Sequence, residues 1–168
     1  MLSLVIPVYR NEASLPELLD ALRGLHQALK GGLEVVFVVD GSPDRCHELL
    51  RERLPATGLT ATLVLLTRNF GSFSAVRMGL AEGRGDSFAV MAADLQEPPA
   101  LVLRMQDILA RDGADVVVAE RTLRHDPLLQ RWQARVFWAL YRRYVVPEMP
   151  PGGVDIFAVS QRVRDALL

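Results

Sequence analysis

The chain has 168 residues, a net charge of −1, half of its residues hydrophobic and 23% charged. This fits one globular domain with a sizeable core and gives no electrostatic case for nucleic acid as a partner. A single cysteine, Cys46, excludes a disulfide framework and a cysteine zinc site. On a predicted helix it reads as a small buried hydrophobe, compatible with a reducing cytosolic setting. No apolar run approaches the roughly 18 residues of a bilayer span, and Leu2–Ile6 is too short for a signal-peptide core.

Leu2–Ile6 is a short strand ending at Pro7, and Pro7 to Glu12 is a loop. Leu15, Leu18, Leu19, Leu22, Leu25 and Leu29 recur at helical spacing, so an amphipathic helix is expected from about Ser14 to Lys30. Ser14 is placed to cap it, with Glu17 as a capping-box partner, and Gly31-Gly32 ends it. Glu34–Val39 is the second strand, stopped by Asp40-Gly41-Ser42-Pro43-Asp44, and a helix over roughly Asp44 to Leu54 follows. Ala61–Thr67 is the third strand, stopped by Arg68-Asn69-Phe70-Gly71, with a helix over about Ser72 to Glu82. Phe88–Ala93 reads as a fourth, buried strand that stops at Asp94, because Pro98 and Pro99 cannot continue a ladder. A helix begins near Pro99 and ends at Gly113, and Asp115–Ala119 is the fifth strand.

Strands alternating with helices imply an α/β fold, a mostly parallel Rossmann-like sheet covered by helices on both faces. After about Glu120 the rhythm breaks. Arg121, Arg124, Arg131, Arg135, Arg142 and Arg143 lie among Trp132, Phe137, Trp138, Tyr141 and Tyr144, on a helix expected from roughly Pro127 to Tyr144. A Pro/Gly loop, a last strand over Val154–Val159 and a final helix capped by Ser160 complete the chain.

In a parallel sheet all carboxyl ends lie on one edge, where ligands bind. Tyr9, Asn11, Glu12, Asp40, Arg68, Asn69, Asp94 and Gln96 are therefore expected to line one crevice. Asp94 and Gln96 place a carboxylate and an amide oxygen two residues apart, within reach of one hard cation. Read singly, Asp94 is more readily an Asx-turn or helix-cap residue; the polar ends of three other strands are what favour a ligand. Acids, amides and one arginine at strand ends suit a nucleotide with metal-bound phosphates. Neither a Gly-x-Gly-x-x-Gly nor a P-loop is present, which argues against dinucleotide oxidoreductases and P-loop kinases.

Val5-Ile-Pro-Val-Tyr-Arg-Asn-Glu, Asp40-Gly-Ser-Pro-Asp, Arg68-Asn-Phe-Gly, Ala93-Asp-Leu-Gln-Glu-Pro-Pro and Gly152-Gly-Val-Asp155 stand in the order and spacing of family-2 glycosyltransferases. The chain most resembles the dolichyl- or polyprenyl-phosphate sugar transferase branch. That resemblance implies a GT-A fold over a single catalytic domain, residues 1–168. Its nucleotide-binding part would be about 1–120 and its acceptor side about 121–168. It also implies a UDP- or GDP-linked sugar donor and a divalent metal, Mg2+ or Mn2+. By the same resemblance Pro7, Tyr9 and Glu12 would border the base and ribose, Asp40 would bond the base, and Asn69 and Gly71 would lie beside the diphosphate. Asp94 and Gln96 would hold the metal, Arg121, Arg124 and Arg131 would receive the acceptor phosphate, and Asp155 would face the sugar or acceptor. The catalytic assignments are thus Asp94 and Asp155.

Three positions depart from the branch's pattern: Ala92 and Val39 stand where acids are usual, and Phe157 where an arginine is frequent. Relatives in the branch often continue into membrane helices, whereas this chain stops at Leu168. It is expected to be a soluble relative, a fragment, or a partner of a membrane subunit, placed in the cytoplasm or at the cytoplasmic face of the membrane. The activity implied is inverting transfer of a sugar to a polyprenyl phosphate or a cell-envelope glycan. A lipid phosphate is already an anionic nucleophile; a hydroxyl acceptor needs a base, for which Asp155 is placed. Asp155 reads equally as a turn residue after Gly153, and the arginines as a surface helix whose stems cover aromatic rings. Two rivals remain. A sugar nucleotidyltransferase would want a Gly-rich loop after the first strand, and Pro7 to Glu12 has no glycine. A non-catalytic nucleotide-sugar binder is kept in play by Ala92 and Val39.

Overall fold

The computed structural model describes residues 1–111, 113–119 and 156–168. At its centre β1 (Leu2–Val8) pairs in parallel with β2 (Leu33–Val39) on one side and with β4 (Ser87–Val90) on the other. β2 pairs in parallel with β3 (Thr60–Leu65) at one edge. Beyond β4 lie β6 (Phe157–Ser160) and then β5 (Val116–Val118), giving the order β3-β2-β1-β4-β6-β5. β2 is buried along its whole length, as its unbroken Val/Phe run requires of a strand covered on both faces. β6 runs antiparallel to β4, so the sheet is mixed. Met1–Val117 and Ile156–Leu168 form one compact unit.

Helices cover both faces. Ser87 and Phe88 are neighbours on β4, so they point to opposite sides of the sheet. Ser87 Oγ donates to Gln106 Oε1 of α4 (Ala100–Arg111) at 2.8 Å. Phe88 joins Val5, Val90, Val159 and Leu80 of α3 (Ser72–Glu82) in one buried cluster, packed by Val163 of α5 (Gln161–Leu167). Full burial of side chains of this size contributes about 1.5–3 kcal/mol each. α3 lies close against β1 and β2 because Gly79 lacks a Cβ; one built there would sit 2.2 Å from Val5 Cγ1.

Helix boundaries follow the expected ones with informative exceptions. α1 is Leu15–Ala28, and Ser14 makes no side-chain cap bond. Ser14 N and Leu15 N donate instead to Asn11 O, at 3.0 and 3.2 Å. α2 is Cys46–Arg53, and Pro55 falls in a short 3-10 turn, Leu54–Ala56. Ser160 does cap α5, accepting from Val163 N at 3.5 Å. Among the described residues no helix is long and apolar enough to cross a membrane. The expected helix over Pro127–Tyr144 lies outside the described residues.

Candidate functional site

The crevice exists because β1 outruns β4. The β1–β4 ladder ends at Val5 opposite Val90, with one further bond from Met91 N to Val5 O at 3.1 Å. β1 goes on through Pro7 and Val8, still paired with β2. Pro7 points the same way as Val5, toward the side that β4 has vacated, so its missing N–H leaves no gap in a ladder. The expected strand to Ala93 is therefore too long: Met91 and Ala93 are buried beyond the ladder, and Asp94 stands four residues past the strand end. The segments leaving β1 and β4 border an opening of about 260 Å³. Pro7, Val8, Tyr9 and Asn11 line it, with Asp40, Asn69, Gly71, Ser72, Ala75, Ala92, Ala93 and Asp94.

Five of the polar residues expected at strand ends, Tyr9, Asn11, Asp40, Asn69 and Asp94, thus share one cavity. Asp40 is 3% exposed. Its Oδ1 accepts from Phe70 N at 2.8 Å and its Oδ2 from Gly71 N at 2.9 Å. It pins the loop leaving β3 to the end of β2. Gly41 permits this approach: its φ is +56°, and a Cβ would lie 2.2 Å from the Arg68 carbonyl carbon. Gly71 also has φ +92° and begins α3 without a side-chain cap. Ser74 N and Ala75 N donate to Gly71 O at 3.0 and 3.1 Å, and Ser72, the first residue of α3, stands in the crevice wall, where a helix start favours negative charge.

Glu12 and Gln96 are not lining residues, and neither is Arg68. Glu12 Oε2 accepts from Arg45 N at 3.0 Å, at the start of α2, where the helix dipole favours a carboxylate. Arg68 lies 4.3 Å over the Phe70 ring. The loop carrying Glu12 is clasped to the loop after β2: Arg10 N donates to Ser42 Oγ at 2.7 Å, Ser42 Oγ to Asp44 Oδ1 at 2.6 Å, and Glu12 N to Asp44 Oδ2 at 3.2 Å. Partial burial pushes the Asp44 carboxyl up, but bonds from Ser42, Cys46 and Glu12 outweigh it and hold Asp44 below its ordinary value. Burial, with Asp44 alongside, pushes the Cys46 thiol up to about 11; it is a buried hydrophobe.

Asp94 is exposed, and its Oδ1 accepts from Gln96 N at 3.2 Å across Leu95, whose φ is +55°. This is the Asx-turn; it leaves the rest of the carboxylate toward the crevice. Among the described residues no three His, Cys, Asp or Glu side chains gather as a metal cluster. A single exposed carboxylate on the edge of a cavity fits a hard cation of the Mg2+ type, which takes one or two carboxylates and draws its other ligands from substrate phosphates and water. Ala92 opens onto the same cavity, so an acid there would have faced it. Val39 does not: it is fully buried at the end of β2. Phe157, likewise, packs against the apolar cluster of α3.

Asp155, Arg121, Arg124 and Arg131 lie outside the described residues. Sequence reasoning missed Val8 and Ala75, which line the cavity as apolar side chains without a chemical signal of their own, whereas the Ser72 hydroxyl reads from sequence as helix-start chemistry and also lines it.

The model of glycosyl transferase family 2 matches residues 3–164. An undecaprenyl-phosphate 4-deoxy-4-formamido-L-arabinose transferase of Pseudomonas paraeruginosa is 36% identical over 168 residues, all of this chain and 49% of that protein. A protein of the same name from Sodalis glossinidius is 34% identical over 166 residues, 99% of this chain and 51% of its own. The chain thus spans about half the length of the curated relatives it matches. Among solved structures, a mannosyltransferase of Pyrobaculum calidifontis in complex with GDP-Man and Mn2+ superposes with a TM-score of 0.71 at 20% identity, covering 99% of this chain and 46% of that one. Glucosyl-3-phosphoglycerate synthase of M. tuberculosis gives 0.65 at 23%, covering 97% and 58%. The shared fold is the GT-A type.

Proposed function

Because the chain belongs to glycosyl transferase family 2, we propose that it transfers a sugar, with inversion at the anomeric carbon, from a nucleoside-diphosphate donor to a polyprenyl phosphate. The observation that carries this reading is that one cavity holds both Asp94 and the start of α3 at Gly71 and Ser72. A cation-binding carboxylate and an anion-binding helix start are what a metal-bound diphosphate requires. Relatives named for undecaprenyl phosphate, matching along the whole chain, support the acceptor class. Neighbours in complex with GDP-Man and Mn2+ or with UDP support the donor and the divalent ion.

In this reading Pro7 and Tyr9 border the base and ribose, and Glu12 contributes by holding Arg45 N behind them. Asp40 keeps the Phe70–Gly71 backbone in place and turns its remaining lone pairs to the base. Asn69, Gly71 and the start of α3 bind the diphosphate. Asp94 would hold Mg2+ or Mn2+, with Gln96 beside it. When bound, such an ion neutralises charge on the departing nucleoside diphosphate. A phosphate oxygen of the acceptor, received by Arg121, Arg124 and Arg131, attacks the anomeric carbon as the bond to the nucleoside diphosphate breaks. It carries its own negative charge, so no proton need be removed; Asp155 would serve as base only for a hydroxyl acceptor such as a cell-envelope glycan. The nucleotide side is carried by about residues 1–120 and the acceptor side by the chain beyond. A lipid acceptor places the site at the cytoplasmic face of a membrane, by peripheral contact or beside a membrane subunit.

Ala92 favours a second reading, a nucleotide-sugar binder without turnover. Calorimetric titration of UDP and GDP, with Mn2+ and then with chelator, tests both. The expected result is Mn2+-dependent binding of one nucleotide, lost in Asp94→Ala, with sugar transfer to added polyprenyl phosphate. Binding without transfer and without Mn2+ dependence would put the second reading ahead. Binding of neither nucleotide in the presence of Mn2+ would overturn the donor site.

A further inference from the structure

Ser14 stands where a helix cap belongs, yet its hydroxyl is spent elsewhere. Ser14 Oγ lies 3.0 Å from Asn11 O and 2.9 Å from Ala93 O. A hydroxyl has one proton to donate, so Ser14 shares it between the two carbonyls or serves one at a time. The two carbonyls belong to residues that both line the cavity but come from different segments of the chain. Asn11 lines it from the loop after β1, where its side-chain Oδ1 also accepts from Tyr9 N at 2.9 Å. Ala93 O belongs to the peptide unit that leads into Asp94, beyond the end of the β4 ladder.

We propose that Ser14 is a positioning residue for the metal-binding carboxylate: its hydroxyl ties the Ala93–Asp94 peptide to the loop after β1 and so sets where Asp94 presents its charge to the donor diphosphate. The inference rests on the proposed role of Asp94. Three features of that segment give the tie its consequence. The ladder has ended, so β1 no longer holds this segment in register. The next residue, Leu95, turns through φ +55°, a conformation that unsupported leucine rarely adopts. The Asx bond from Gln96 N, at 3.2 Å, lies within the turn and shapes it locally. Groups that orient a metal ligand from behind commonly alter metal affinity by about tenfold or more when removed.

The test is a Mn2+ titration of nucleotide binding by calorimetry, using UDP or GDP, whichever binds the unaltered chain. It compares wild type, Ser14→Ala, Ser14→Thr and Asp94→Ala. For Ser14→Ala the half-saturating Mn2+ concentration rises about tenfold, while nucleotide affinity in chelator and the thermal midpoint stay at wild-type values. Ser14→Thr, which keeps the hydroxyl, restores the wild-type Mn2+ requirement. A Ser14→Ala titration that overlays wild type overturns the inference. So does a parallel fall in metal-free affinity and thermal midpoint, which would mark a merely structural serine. The Asp94→Ala arm keeps the two failures apart. Mn2+ dependence surviving there overturns the role of Asp94 and the inference with it. Mn2+ dependence lost there, but unshifted in Ser14→Ala, overturns the inference alone.

Discussion

The two ends of the same parallel strands treat a carboxylate in opposite ways. At the amino end Glu34 is 2% exposed, and its Oε2 accepts from Ser3 Oγ at 2.6 Å and from Arg84 N at 2.8 Å. Ser3 Oγ in turn accepts from Gly85 N at 2.8 Å, so the turn between α3 and β4 is bonded into the sheet. At the carboxyl end Asp94 is exposed, with one long bond inside its own turn. Burial with bonded partners turns a carboxylate into structure; exposure on an open edge leaves its charge for a ligand. Asp40 stands between these cases, buried and doubly bonded, yet in the cavity wall.

Amide substitutions break this comparison most cleanly, because they remove charge and keep shape. Asp94→Asn retains an oxygen for Gln96 N, so stability should change by less than about 0.5 kcal/mol. Mn2+-dependent nucleotide affinity should fall up to about a hundredfold, because the proposed role of Asp94 rests on its charge. Glu34→Gln should do little to either quantity: the bonds from Ser3 and Arg84 N both fall on one oxygen, which glutamine can keep, and Arg84 Nε is 4.0 Å from the other. Glu34→Ala removes that oxygen and leaves Ser3 and the Arg84 N–H without it, at a cost of about 3 kcal/mol in urea denaturation. Nucleotide affinity of the folded fraction stays at wild type. A Glu34→Gln variant as unstable as Glu34→Ala would mean that charge, rather than an acceptor, is what this end of the sheet needs.

Asp40→Asn should fall between the two, lowering stability and nucleotide affinity together. One of the two backbone donors would then face an amide N–H. Gly71 N has a second acceptor, Asn69 Oδ1, at 3.0 Å, so the cost is about 1–2 kcal/mol. Adding Asn69→Ala removes that fallback, and the double variant should lose more than the sum of the singles. Simple additivity would show that the second bond contributes nothing.

Most of the cavity was legible in the sequence for a topological reason. Parallel pairing alone brings the exits of β1, β2, β3 and β4 to one edge, and Tyr9, Asn11, Asp40, Asn69 and Asp94 follow. What composition does not encode is where a loop aims its side chains. Glu12 is as polar as Asn11, but an open helix start at Arg45 captures its carboxylate. The end of β4 was misplaced because Met91 and Ala93 are buried without being laddered, and apolar character reports burial only. The antiparallel sense of β6 was hidden for a related reason: a short apolar run reads the same in either direction. Ser14 looked like a cap because its neighbours fit a helix start; only the three-dimensional path of Ala93 reveals the other acceptor.

The smallest expected effect lies in the clasp between the loops after β1 and β2, and it is read through pH. Asp44 titrates below its ordinary 3.8 in the folded chain. A depressed folded value means that the ionised form stabilises the fold. That contribution is complete above the unfolded value of about 3.9 and is lost as pH falls through the folded one. Asp44→Asn lacks the charge at every pH, so it should be less stable than wild type near pH 6, by under about 1 kcal/mol for a half-exposed group. The gap should close progressively below about pH 4. Among the described residues Asp86 and Asp115 are also held below 3.8, by the Met1 ammonium and by Ser160 with Arg162, so the wild-type curve alone mixes Asp44 with other groups. The difference between wild type and Asp44→Asn removes the other two, because their partners are unchanged. A difference that stays constant from pH 6 to pH 2 would place the clasp's strength in the shape of Ser42 and Glu12, with no share from the Asp44 charge.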